Sequence, residues 1–453
     1  MPPLTTPPFS GNDRTDAATF GAIALAERAY CAAEEAASFL GRISLWPIVL
    51  LFLPKINLVS FGGETAGIRL DDIVLFVVAL ILVCGWIIKL NFKIEAIPRV
   101  TFIVIGLFCL SNLVNLDHSN VLYSLRLVEY LVFFWAGKSL VQSRFKFSSA
   151  VMLLIAINCG AIVLQFCRLM GGFAAEGYSS IAERPFGLSA NHPAEMGALL
   201  NLAFAALVFE RRGKAFGRFW LWCTAVAVCI FLTESRSALA IHFVLTWLYT
   251  YQHAKSRTSF ALKSALVVGG LIAALVFVPN PMRERSSELF APQNVDAARQ
   301  LYDSVPAEKQ FTGFAEGSEA ADAPQDVDIS AYMRGFKWIS VIKIMFTAPW
   351  VVWILGLGPG ALGPALDGGW LRLLAETGIV GTFAFLFMLR KISNLDRACV
   401  MAVLALAANM VMVDSQNAYK VMAFLFLMAG VSVQRSILES HGRTSAVDLR
   451  EAD

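Results

Sequence analysis

A chain of 453 residues that is 57% hydrophobic and 16% charged, with a mean hydropathy of +0.62, carries more apolar surface than a soluble domain of that length can hide, so it needs lipid as its solvent. A formal net charge of +3 with no basic patch excludes nucleic acid as a partner. Seven of the eight cysteines (Cys84, Cys109, Cys159, Cys167, Cys223, Cys229 and Cys399) fall in or at the ends of apolar runs, with no Cys-x-x-Cys pair and no histidine at ligand spacing. They read as small packing residues, so neither a metal site nor a cofactor is expected.

Residues 1–39 are Pro-rich and charged, lack the apolar core of a signal peptide, and read as a partly disordered cytoplasmic tail. Crossing a hydrocarbon layer of about 30 Å takes about twenty mostly apolar residues. Runs near that length occur at 40–54, 71–90, 97–114, 121–140, 149–168, 191–210, 218–234, 237–252 and 260–279, and again at 369–389, 397–413 and 419–434. The expectation is an all-α polytopic membrane protein of about twelve transmembrane helices, nine before and three after a large loop at 280–368, with a short tail at 435–453.

Basic residues alternate from loop to loop. Lys89, Lys93 and Arg99, then Lys138, Arg144 and Lys146, then Arg211, Arg212, Lys214 and Arg218, then Lys255, Arg257 and Lys263, then Arg390, Lys391 and Arg397 mark one side. By the positive-inside rule that side is cytoplasmic, and both termini lie there. The large loop faces outward. It is acidic over 284–328 and turns helix-like over 331–346, where Trp338, Ile339, Val341, Ile342, Met345 and Phe346 share an apolar side suited to the membrane surface. It ends in Gly356-Leu357-Gly358-Pro359-Gly360, which cannot continue a helix and can bring backbone amides close to a bound group.

Charges inside or at the rim of membrane helices are expensive, so each needs a partner, a wet cavity or a function. On the outer side Arg184 precedes His192 and Glu195 at the sixth run, Glu234 and Arg236 join the seventh and eighth, Arg334 opens the surface helix, and Asp367 precedes the tenth. Several arginines facing one cavity would hold a pyrophosphate bidentately, and a carboxylate among them could take a proton from a sugar hydroxyl. Each residue also has a structural reading. Arg236 can pair with Glu234, Arg334 can make a helix-start salt bridge, and His192, before Pro193, can cap a helix. Arg126 and Glu129, three apart, can pair within the fourth helix, and Glu376 can pair with Arg372.

The ordered set resembles the O-antigen ligase and Wzy-type polymerase superfamily of bacterial polysaccharide assembly over roughly residues 67–381. It is carried by Ile68-Arg69-Leu70-Asp71-Asp72, Arg126-Leu127-Val128-Glu129-Tyr130, Arg184-Pro185-Phe186-Gly187 and Asn191-His192-Pro193. Leu232 to Ala238, Arg334 with Trp338, Gly356 to Gly360, and Trp370-Leu371 followed by Glu376 to Gly381 continue it. The resemblance implies an inverting, metal-independent glycosyl transfer at the periplasmic face of the bacterial inner membrane. Its donor would be an undecaprenyl-diphosphate-linked glycan gripped by Arg184, Arg236 and Arg334, with Arg69, Arg126, Glu129 and Glu376 supporting. Copolymerase and flippase partners are implied as well. Ligases of this family place a His-Asn-like pair where this chain has Asp367-Gly368-Gly369, which favours a polymerase with Asp367 as base; Glu195 and His192 are the other candidates. The alternatives are a ligase passing the glycan to lipid A core and, in another class, a secondary transporter.

Overall fold

The computed structural model describes residues 49–51, 57–60, 67–69, 72–77, 79–80, 95–115, 121–142, 146–171, 184–190, 192–210, 217–254, 256–277, 302, 329–363 and 366–451. The expected tail at 1–39, most of the first run and of the large loop, and the larger part of the second run lie outside these residues.

Helices dominate: α1 (Ala96–Val114), α2 (Val121–Gln142), α3 (Phe147–Phe166), α4 (Pro193–Phe209), α5 (Phe219–Leu232), α6 (Arg236–Gln252), α7 (Arg257–Phe277), α8 (Ile329–Thr347), α9 (Trp350–Leu355), α10 (Gly369–Ser393), α11 (Arg397–Asn409) and α12 (Tyr419–Glu451). Each apolar run from 97 onward coincides with one of them. Two strands interrupt the all-α expectation: β1 (Asn57–Ser60) and β2 (Gly67–Arg69) pair antiparallel, with Asn57 opposite Arg69. Segments of four and three residues are too short to show a period of two in sequence.

Among the described residues, four helices are long and apolar enough to cross a membrane: α1, α3, α10 and residues 419–440 of α12. Shorter apolar helices are α4, α5 and α11. Four of the expected twelve spans meet these criteria among the described residues. Of the other runs, the first two lie largely outside the described residues, α4, α5 and α11 are only 17, 14 and 13 residues long, and α2 carries Arg126, Glu129 and Lys138. Outward faces are apolar, with Phe102, Ile103, Leu113, Leu153, Phe166, Leu221, Val228, Phe383 and Phe387 all exposed. Such belts are stable in lipid and a liability in water. This is a membrane protein.

α4 is the central helix. Buried side chains lie all around it, from Pro193 and Met196 to Phe209, the pattern of a helix enclosed by others; α3, α5, α6, α11 and α12 surround it. The largest interface joins α2 to α12 and rests on two glycines. A Cβ on Gly137 would stand 2.1 Å from the Leu427 carbonyl oxygen, and one on Gly430 would stand 1.9 Å from that of Phe134. Small residues let the two backbones touch, which is how helices gain packing where no hydrophobic force separates them from lipid. The Lys138 ammonium pairs with Glu95 at the start of α1, and Arg435 pairs with Glu210 at 2.6 Å. α12 runs on as helix to Glu451, through the expected tail at 435–453.

The helix expected at 331–346 is α8. Its apolar side is divided: Val341 and Met345 are buried with Leu362, Leu366 and Ala375 in a second, smaller core that Trp338, Val352 and Trp353 flank, whereas Phe346 is exposed. This small core fastens α8, and with it Arg334, against the segment that leads into α10.

Candidate active site

Two clusters of charged residues form at helix ends. The first gathers around the turn between α5 and α6. Thr233 ends α5 with its hydroxyl donating to the Ile230 carbonyl oxygen at 2.7 Å, and Glu234 follows at φ 57°, a left-handed conformation rare outside glycine. Glu234 accepts from Arg184 Nε at 3.2 Å. Burial pushes its carboxyl up from the ordinary value. Arg184 is placed by the loop after it: the Phe186 and Gly187 amides donate to Gln165 Oε1 at 3.0 and 2.8 Å, and Gln165 Nε2 donates back to the Gly187 carbonyl oxygen. Asn158, two turns earlier on the same side of α3, receives the Leu188 and Ser189 amides through Oδ1, both at 3.1 Å. Two amides of α3 thus fold the 186–189 loop back over the helix end.

His192 is the N-cap of α4, its Nδ1 accepting from the Ala194 amide at 3.1 Å, with Pro193 in the first turn as caps of this kind favour. The capping reading is the one the geometry displays. Glu195 stands in the same first turn, where the helix dipole favours an anion. Arg236 opens α6. Gly197 brings the two helix starts together: a Cβ there would meet that of Ala238 at 2.4 Å and the Ser235 hydroxyl at 3.3 Å. Arg184, His192, Glu195, Glu234 and Arg236 are therefore neighbours at one place in the fold.

The second cluster joins α8 to the start of α10. Arg334 Nε donates to Asp367 Oδ2 at 3.4 Å, both side chains about one-third exposed. Behind them lies a buried network. Arg372, with no exposed surface, donates through Nε to Glu376 Oε1 at 3.0 Å, through Nη1 to Asp414 Oδ2 at 2.9 Å, and through Nη2 to the Gly363 carbonyl oxygen. A guanidinium with both faces of its fork engaged and two carboxylates beside it satisfies the charge it buries. The expected Glu376–Arg372 pair is part of this. Asp414 was not singled out in the sequence, because a lone carboxylate in a turn gives no signal until its partners 42 to 48 residues earlier are folded against it. Lys420 was missed likewise; it is buried at the start of α12 and donates to the Leu50 carbonyl oxygen.

The glycine segment before α10 does something other than expected. The Leu357 and Gly358 amides donate to the Ala375 and Glu376 carbonyl oxygens of α10 at 2.8 and 3.0 Å. α10 is broken at Gly378, at φ 65° and ψ −172°, a backbone region open essentially to glycine alone. The break removes the helical donors that those carbonyls would use, and the glycine segment replaces them. Gly356 has to approach closely for this, since a Cβ on it would lie 2.3 Å from the Glu376 carbonyl. These two amides are engaged inside the protein and are not free to receive a ligand.

Arg126, Tyr130, Pro359, Glu376, Thr377, Gln416 and Asn417 line one small cavity of about 20 Å³ between α2, the glycine segment, α10 and the turn before α12. This brings the expected supporting residues Arg126 and Glu376 to one place. Glu129 stands one helical turn from Arg126, and Arg69 ends β2. The chain matches no protein-family model and no curated protein by sequence.

Proposed function

We propose that this protein is a polysaccharide polymerase of the bacterial inner membrane, with about twelve spans, both termini cytoplasmic and the large loop at 280–368 periplasmic. It would transfer a growing undecaprenyl-diphosphate-linked glycan onto the nonreducing-end sugar of a new lipid-linked repeat unit. The observation that carries this reading is the Arg334–Asp367 pair, a guanidinium and carboxylate about one-third exposed and 3.4 Å apart, beside a charged network centred on the fully buried Arg372. On the topology expected from loop charge, this pair and the Arg184–Glu234 pair both stand at outward helix ends.

In the proposed step Asp367 takes the proton of the acceptor hydroxyl. That oxygen forms the new bond to the donor's anomeric carbon from the face opposite the diphosphate. The bond from that carbon to the diphosphate oxygen breaks, its electron pair leaves with undecaprenyl diphosphate, and the configuration inverts. Arg184, Arg236 and Arg334 hold the charge that develops on the leaving group. Arg184 and Arg334 are paired with carboxylates in this structure, so substrate has to displace Glu234 from Arg184 and Asp367 from Arg334 before the groups engage it.

The test is incubation of the purified protein with undecaprenyl-diphosphate-linked repeat units in EDTA, beside Arg236→Ala, Arg334→Ala and Asp367→Asn variants of confirmed folding. The expected result is a ladder of lipid-linked oligomers from the wild type and only slow residual transfer from the variants. Transfer only after lipid A core is added would make the protein a ligase, and transfer to neither acceptor would favour transport.

A further inference from the structure

Asp367 sits at φ 57°. Aspartate enters that left-handed region more readily than most residues but still at a cost relative to glycine, and the surroundings that hold it there are specific. The carboxylate of Asp414 straddles Asp367: Oδ2 accepts from the Leu366 amide at 2.8 Å and Oδ1 from the Gly368 amide at 3.1 Å. Both oxygens of one side chain are thus bound to the two residues that flank the candidate base, while the base itself points to Arg334. Arg372 Nη1 holds Oδ2 of the same carboxylate at 2.9 Å, and Glu376 holds Arg372.

The next residues are fixed from the same side. The Trp370 amide donates to the Met410 carbonyl oxygen at 3.2 Å, Gln416 Nε2 donates to that of Gly369 at 3.2 Å, and the Trp370 indole donates to that of Ala407 at 2.8 Å. Gly368 lies against the indole of Trp338, which would stand 2.7 Å from a Cβ. The backbone on either side of Asp367 therefore has no freedom to turn.

We infer that Asp414, held by Arg372, is a positioning residue that fixes the conformation of Asp367 and so aims its carboxylate at the acceptor hydroxyl. The inference rests on the proposed transferase reading for its catalytic consequence, and on geometry alone for the conformational one. Asp414 does not touch the Arg334–Asp367 pair. Its effect passes through the two amides. Asp414→Asn leaves one oxygen to accept only one of those two hydrogen bonds and removes the charge facing Arg372.

Two cycles on the purified full-length protein test this, with Asp414→Asn, Asp367→Asn, Asp367→Gly and the two double variants. In the polymerisation assay Asp414→Asn should lower kcat by about a hundredfold, as a misplaced reacting group does, with KM for the lipid-linked donor held within about twofold. In the Asp367→Asn background the same change should cost little more. Losses that multiply in the double variant, or a KM that rises as kcat falls, would overturn the inference and make Asp414 a merely structural residue. If the wild type forms no polymer, the transferase reading fails and the melting temperatures decide the conformational claim. The shift caused by Asp367→Gly should then differ between the wild type and Asp414→Asn, because glycine relieves left-handed strain only where the clamp imposes it. Equal shifts in the two backgrounds would overturn it.

Discussion

At the scale of single residues, the charged side chains are arranged as competitors of the ligand they would bind. Arg184 is neutralised by Glu234 at 3.2 Å, both partly exposed, and a pair of that exposure contributes up to about 1 kcal/mol. Glu234→Gln frees Arg184 without removing a hydrogen-bonding group, so KM for the lipid diphosphate donor should fall by about two- to fivefold. Titration offers the same change in the wild type. Burial raises the Glu234 carboxyl above its ordinary value, so it loses its charge at a higher pH than an exposed carboxylate does. Measured KM should accordingly decline as pH is lowered towards that point in the wild type and stay level in Glu234→Gln. A variant whose KM keeps the wild-type pH dependence would show that another group governs donor binding.

At the scale of elements, glycine decides where helices meet and where one breaks. The α2–α12 interface depends on Gly137 and Gly430 standing against opposing carbonyls. Gly430→Leu forces the backbones apart, and overpacking of this kind costs about 1–3 kcal/mol. Its expected signature is a lowered melting temperature in detergent, whereas Gly106→Leu, on an open face of α1 with nothing within 4 Å, should leave the melting temperature unchanged. Within α10, Gly378→Ala places a side chain in a conformation that costs about 1–3 kcal/mol and 2.3 Å from the Ile354 carbonyl oxygen. The break would be lost or strained, and with it the docking of the glycine segment that carries Gly363 to Arg372. Reduced stability and reduced polymerisation together are expected, and an unchanged melt would show that the helix tolerates closure of its break.

At the scale of the whole molecule, sidedness is the property on which the reading depends. In the proposed topology, argued from loop charge, residues 211–218 and 390–397 lie inside and 280–368 outside. An export-dependent reporter fused after residue 310 should be active, and fusions after 214 and after 394 should not. Activity in the reverse order would put both charged clusters in the cytoplasm, where an undecaprenyl-linked donor delivered to the periplasm could not reach them.

The apolar runs from 97 onward located the helices from α1 to α7 and from α10 to α12, because sustained hydrophobicity is a local property of the chain and lipid selects for it. The same local signal offered Asp367, Arg334, Arg184 and Arg236 as candidates, since charge beside an apolar run is visible wherever it falls. It did not reveal the β1–β2 pair, the break at Gly378, or Asp414. Each depends on groups far apart in sequence: the break is tolerated because the Leu357 and Gly358 amides satisfy the carbonyls of Ala375 and Glu376 that it frees. Asp414 has its role only after the turn before α12 folds against the start of α10. Hydrophobic pattern determined which segments form apolar helices; the tertiary structure decided which carboxylate meets Arg334 and which one brackets it through the flanking amides.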